Sequence, residues 1–225
     1  MAGEEKKTAI SRYYQGMWLR NFVLCAVVAM SAAAASIPSP AVDVPASKEK
    51  QTAVFSGGCF WGVDAVFKHV KGVTKVVSGY AGGEAKTASY DIVSTGQTGH
   101  AESVQVTYDP SVVTYGTLLK VFFGVAHDPT QLNYQGPDHG TQYRSAIFYS
   151  SEDQKKAAEA YIAQLNQAHV YRKPIVTQVA PLKGFYPAES YHQNYLALHP
   201  DQPYIVYNDM PKLAALKKEL PELAK

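Results

Sequence analysis

The chain holds two cysteines in 225 residues, too few for a disulfide-dense scaffold or a four-cysteine zinc site. It lacks an excess of either charge: 21 basic residues against 19 acidic ones leave a formal +2, which offers no broad basic face for nucleic acid. Its apolar stretch from Phe22 to Ala35, FVLCAVVAMSAAAA, rises only about 21 Å as a helix, short of a ~30 Å hydrocarbon core. What the chain has is 16 Tyr, 13 Pro, 16 Gly and 46% apolar residues. That composition argues against disorder, a coiled coil or collagen, and the length suits one domain with a sizeable core.

The amino terminus reads as an address. Arg20 precedes the apolar run, and Ala33-Ala34-Ala35 ends it with the small residues that signal peptidases accept. Residues 1–35 are therefore expected to be a secretory signal peptide cleaved near Ala34 or Ala35, with an uncleaved signal anchor as the alternative. Met17 opens a compact MWLR segment and offers a second possible start. Residues 36–50, with Pro38, Pro40 and Pro45, are expected to be a linker, and residues 51–225 the folded domain. Four basic and two acidic residues fall in positions 1–35, so the remainder carries 17 of each and is formally neutral. Cys25 is expected to leave with the signal, and the leader is expected to direct the mature chain across the inner membrane to a periplasmic location.

Along the mature chain the patterns interleave. Thr52–Ser56 reads as a strand. Cys59–Val70 has apolar residues at helical spacing, Val73–Val77 is a second strand, and a Gly/Ala-rich loop follows to Ala88. Val104, Val106 and Tyr108 alternate in a third strand stopped by Asp109-Pro110. Thr114 caps a helix to His127, and 128–143 is turn-rich without period. Arg144–Tyr149 is a strand, and Ser150 or Ser151 caps a helix to about Asn166. Ile175–Ala180 is strand-like, Glu189–Leu198 helical, and Lys212–Leu220 a last short helix. This order predicts an α+β fold: a two-layer sandwich of a mixed sheet with packed helices, around a ferredoxin-like core.

One thiol stands apart. Cys59 follows a strand and Gly57-Gly58 and opens an amphipathic helix, where free backbone N–H groups and the helix dipole favour thiolate over thiol. Position alone fits an inert buried cysteine as well. The flanking residues are more specific. Gly58-Cys59-Phe60-Trp61-Gly62, Gly79-Tyr80-Ala81-Gly82-Gly83, Thr98-Gly99-His100-Ala101-Glu102, Tyr108-Asp109-Pro110, His127-Asp128-Pro129-Thr130 and Asp138-His139-Gly140-Thr141-Gln142-Tyr143-Arg144-Ser145 occur in this order. Together they resemble the peptide methionine sulfoxide reductases of the A family, which act on the S epimer. The resemblance spans roughly Thr52 to Pro211.

It implies roles for individual residues. Cys59 matches the nucleophile, and Glu102 the acid that protonates the sulfoxide oxygen. Phe60 and Trp61 match the aromatic walls around the substrate methyl group, Tyr90 and Tyr143 the hydroxyls that bind the oxygen, and Asp138 a supporting polar residue. Each type also has a plain structural use. Aromatics at a helix start are often core, a glutamate opening a strand is often solvated, and the mature chain has 14 tyrosines to choose from. His100 is expected to be a hydrogen-bonded structural histidine. The chemistry suits the assignment, because a sulfoxide oxygen leaves only once protonated, and burial beside aromatics keeps a carboxyl neutral.

The tail from His199 to Lys212 contains no cysteine, resembling the single-cysteine branch of the family. No metal or organic cofactor is implied. The Cys59 sulfenic acid then has to be reduced by an external small thiol or a thioredoxin-like protein. The expected partners are that reductant and oxidised proteins or peptides carrying methionine sulfoxide, with no nucleic acid, and a monomer is expected. Tyr134 stands where the family commonly has Arg. Rival readings are a zinc deaminase on His100-Ala101-Glu102, which lacks a P-C-x-x-C partner, a cysteine hydrolase using His192 and Asn194, a thiol peroxide reductase, and a non-catalytic methionine-sulfoxide-binding or adaptor domain.

Overall fold

The computed structural model describes residues 37–225; the signal-peptide expectation for 1–35 lies outside them. In chain order the elements are β1 (Gln51–Ser56), α1 (Phe60–Lys68), β2 (Val73–Ala81), α2 (Tyr90–Val93), β3 (Ala101–Tyr108), α3 (Tyr115–Val121), the hairpin β4 (Tyr134–Gln135) and β5 (Asp138–His139), β6 (Ala146–Tyr149), α4 (Glu152–Gln167), β7 (Gln178–Pro181), β8 (Phe185–Pro187), α5 (Tyr195–Leu198) and α6 (Met210–Glu219). The main sheet has the order β7-β6-β1-β3-β2-β8. Its inner strands β6-β1-β3-β2 are antiparallel neighbours joined through α1 and α3, the split βαβ arrangement of a ferredoxin-like core. β7 adds to β6 in parallel after the α4 crossover, and β8 extends the other edge antiparallel to β2. The sheet is therefore mixed and the fold α+β.

Alternation along β1 divides the interior. Ala53 and Phe55 face the helices, where they meet Phe67 of α1, Tyr115 and Leu118 of α3, and Ala157 and Tyr161 of α4. Val54 faces the other side with Ala81, Ala101 and Phe148. Phe55 stacks on Phe67 and Phe122 at centroid distances of 5.1 and 5.0 Å, which fixes α1 and α3 on one face of the sheet. Both expected caps form: Thr114 accepts the Thr117 N–H and Ser151 the Gln154 N–H. Beyond α3 the helical path widens into a π turn, Phe122–Ala126, that ends at His127.

Several expectations change. The second strand does not stop at Val77. It runs to Ala81 because Gly79–Ala81 pairs with β3 on one side and β8 on the other, and ladder hydrogen bonds on both edges outweigh the low strand preference of Gly and Ala. A Cβ on Gly79 would overlap the Tyr186 carbonyl and the Phe185 ring, so glycine is what lets β8 dock. The strand expected at Ile175–Ala180 starts only at Gln178, since the Ile175 and Val176 N–H groups go to Asn166 and Pro129. The helix expected over Glu189–Leu198 is broken into a 3-10 turn, Ser190–His192, and α5, because Asn194 between them is left-handed at φ 58°. The stretch expected as a linker is not a free spacer over its described part. Pro38 O accepts the Tyr161 hydroxyl at 2.6 Å, Ser39 and Ala41 bond both ends of the Gln164 amide, and Asp43 accepts the Gly116 N–H at 2.7 Å. It is a strap over α3 and α4.

Candidate active site

Sheet register builds the site. β1 runs antiparallel to β3 with Phe55 opposite Val104, so the chain leaving β1 at Gly57 comes level with Glu102. Two glycines make the exit possible. A Cβ on Gly57 would lie 2.8 Å from the His127 ring, and Gly58 is left-handed at φ 88° with Gln135 pressed against it. Cys59 then stands at the N-cap of α1 without a side-chain cap. The first free N–H of that helix, on Phe60, donates to Glu102 Oε2 at 3.0 Å. The Cys59 and Glu102 side chains are thus linked through one peptide.

Both groups are buried: Cys59 is 8% exposed and Glu102 4%. Burial pushes the Glu102 carboxyl up to about 8, against the pull of the Phe60 N–H, so it holds a proton at neutral pH. Cys59 departs from the expectation that the helix terminus favours thiolate at rest. Burial first, then the nearby Glu102 and Asp209 carboxyls, push its thiol well above the ordinary range, and the Trp61 N–H and Lys212 offset this only in part. Loss of hydration exceeds the helix-end contribution when no substrate is present.

The remaining expected residues ring this pair, at different depths. Phe60 is fully buried, 5.9 Å from the Tyr80 ring and 5.1 Å from His192, so it backs the site. Trp61 is half-buried, stacked on Tyr195 at 3.7 Å with Tyr204 edge-on at 5.8 Å, and forms the open aromatic wall. Tyr90 and Tyr143 are each half-buried, and burial raises both phenols, with the charges of Glu102 and Cys59 contributing. Their backbones are tied together, because Thr141 and Gln142 donate to the Gly96 and Ser94 carbonyls that follow α2. Asp138 lies on β5 and accepts the Tyr204 hydroxyl at 2.5 Å. His100 is buried, with Nδ1 accepting from the Gly83 N–H and Nε2 on the Glu84 carbonyl. Arg144 clamps the adjoining loop through the Gly99 and His100 carbonyls.

Local patterns missed four residues here and gave a fifth, His192, only to a rival reading. Tyr204, Asp209 and Lys212 come from the tail after α5. Asp209 is fully buried and paired with Lys212 at 3.0 Å. Glu189 accepts the Tyr80 hydroxyl and the Tyr90 N–H, both at 2.9 Å, and so seats α2. His192 accepts the Trp61 indole N–H at 3.2 Å. The aromatic and polar density of the tail was the available signal, but nothing local tied it to Cys59 across more than 140 positions.

Two of the rivals, the zinc deaminase and the cysteine hydrolase, lose their geometry. Among the described residues no group of three His, Cys, Asp or Glu could hold a metal. His192 bonds Trp61 while Asn194 bonds Lys68 at 2.6 Å, so they do not form an oriented base. The surviving arrangement is a buried thiol beside a protonated carboxyl, with phenols and an indole opening to solvent. It can attack a polarised centre and hand a proton to its leaving oxygen.

Comparison with known proteins agrees. Residues 51–223 match the family described as peptide methionine sulfoxide reductase. The chain is 60% identical over 182 residues to peptide methionine sulfoxide reductase MsrA 2 of Mesorhizobium japonicum, covering 81% of this chain and 93% of the relative. It is 49% identical over 174 residues to the MsrA of Thermus thermophilus, covering 77% and 97%. Among solved structures, Mxr1 from Saccharomyces cerevisiae in reduced form aligns with a TM-score of 0.61 at 33% identity, covering 74% of this chain and 94% of that one. Methionine sulfoxide reductase A of Corynebacterium diphtheriae aligns with a TM-score of 0.59 at 37% identity, covering 68% and 77%.

Proposed function

Since the chain belongs to the peptide methionine sulfoxide reductase family, and so reduces methionine S-sulfoxide to methionine, we propose how its residues divide that reaction. The sulfoxide methyl group rests against Trp61, with Phe60 behind it, and the oxygen points to the Tyr90 and Tyr143 hydroxyls. Cys59 attacks the sulfur as thiolate while Glu102 delivers its proton to the oxygen. The S–O bond breaks as the hydroxyl passes to the Cys59 sulfur, leaving the thioether and a Cys59 sulfenic acid. Asp138 supports the oxygen-binding side through its bond to Tyr204. The observation that carries this reading is the buried Glu102 carboxyl, held at about 8 and bonded to the peptide next to the thiol.

No second cysteine follows Cys59, so the oxidised sulfur is cleared from outside. One external thiol forms a mixed disulfide with Cys59 and releases water, and a second thiol frees Cys59 as a disulfide forms on the donor. A small thiol or the dithiol of a thioredoxin-like protein meets that need. Incubation with the two epimers of N-acetyl methionine sulfoxide and dithiothreitol tests the whole scheme. S-selective turnover is expected, with one sulfenic acid per chain when dithiothreitol is left out, and turnover of both epimers alike would overturn the assignment of the pocket.

The leader gives the same reaction a compartment. Residues 1–35 direct export, and the chain that remains works outside the inner membrane, in the periplasm. In support, Arg20 precedes the apolar run and Ala33-Ala34-Ala35 ends it. Intact-mass analysis of fractionated cells should find a periplasmic product starting near Ser36. A full-length product retained with the cytoplasm would reject export.

A further inference from the structure

Residues 204–212 come close to the first turn of α1, beside the nucleophile. Gly62, one helical turn after Cys59, has no side chain, and its Cβ position lies 2.8 Å from Lys212 Nζ and overlaps the Asp209 carboxylate. Only a glycine lets that ion pair reach the backbone of the first turn. Asp209 is 0% exposed; its Oδ1 takes Lys212 at 3.0 Å, and its buried Oδ2 has no partner. An ammonium beside the positive end of a helix is unfavourable by itself. It becomes favourable when a negative charge forms at the same end, and Cys59 is where the reaction forms one.

The surroundings make such a cation necessary. Around Cys59 stand the carboxyls of Glu102, Asp138 and Asp209 and the phenols of Tyr90, Tyr143 and Tyr204, with neutral His127 behind Gly57 and His192 behind Phe60. Asp209, and Glu102 once it has given up its proton, disfavour a thiolate, and Lys212 is the positive charge opposing them. We propose that Lys212, seated by Asp209 against the first turn of α1, is the positioning cation that stabilises the Cys59 thiolate during attack. The tail that lacks a recycling cysteine serves the reaction in this other way. The proposal rests on Cys59 being the nucleophile.

The pair gives a test with opposite signs. The rate of Cys59 alkylation by iodoacetamide is followed against pH in the full chain, with the Cys59 peptide quantified by mass spectrometry so that Cys25 does not interfere. Lys212→Met should move the midpoint up by about one pH unit or more, and Lys212→Arg should restore it. Asp209→Asn should move it down, because the cation stays and an anion goes. A purely structural pair would perturb both variants in the same direction or leave the midpoint alone, and either result, in proteins with cooperative thermal melts, overturns the proposal. Should Lys212→Met fail to fold, Lys212→Gln takes its place: a raised midpoint upholds the role, and an unchanged or lower one rejects it. Alkylation needs no sulfoxide, so opposite shifts in a chain that leaves the S epimer untouched would keep the pair and sink the reductase scheme.

Discussion

Glu102 accepts the backbone N–H of Phe60 at 3.0 Å, so the proposed general acid is aimed by the peptide adjoining the proposed nucleophile. That bond fixes which oxygen is free to carry the proton. Glu102→Gln keeps an acceptor for Phe60 but has no acid, and single-turnover reduction of the S epimer should fall roughly 10²–10⁴-fold. In the parent the proton is lost as pH rises through about 8, so the parent's advantage over Glu102→Gln should shrink above that pH. A rate of the glutamine variant within a factor of ten of the parent would remove Glu102 from the chemistry.

The same carboxyl is costly to the fold. Its folded value of about 8 lies above the ordinary carboxyl value of 4.5, so its favourable contribution is complete below 4.5 and lost as pH rises toward 8. At pH 7 the cost is roughly 2–3 kcal/mol. Urea titrations at pH 5 and pH 8 should show the parent losing more stability over this range than Glu102→Gln. Parallel losses in the two proteins would count against a buried neutral acid.

His127 works in the opposite direction. It is buried under Gly57, bonded to the Phe122 carbonyl and the Ser145 hydroxyl, and lowered to about 4 from 6.5. A depressed value gives stability that is complete above 6.5 and lost as pH falls toward 4, up to about 3 kcal/mol. Acid unfolding of the parent should steepen through this window, and His127→Gln should flatten it, as followed by far-UV circular dichroism.

Tyr204 ties the tail to the hairpin through Asp138. Tyr204→Phe leaves a half-buried carboxyl with one partner fewer, at a cost of about 1 kcal/mol. Because the ring stays against Trp61, the pocket wall survives and the loss should fall on kcat more than on KM. Steady-state kinetics with a saturating reductant decide this, and an unchanged kcat would leave Tyr204 a packing residue.

Sequence alone determined whatever depends on near neighbours. The two glycines before Cys59, the apolar spacing of α1, the caps at Thr114 and Ser151 and the alternation of β3 act over a few residues, and they put the thiol at a helix start and Glu102 on a strand. Motif resemblance supplied the roles of Tyr90, Asp138 and Tyr143, which no local pattern singles out. Only the tertiary structure decided what happens to these groups once water is removed. Register across β1 and β3 brings Glu102 to Phe60, and burial then raises both the acid and the thiol. For the acid this agrees with what the residues implied; for the thiol it reverses it, because desolvation depends on everything packed around the sulfur and not on its place in a helix. The tail shows the same division. Its lack of cysteine is plain in the letters, but the approach of Asp209 and Lys212 to Gly62 spans some 150 positions of chain and exists only in the folded molecule.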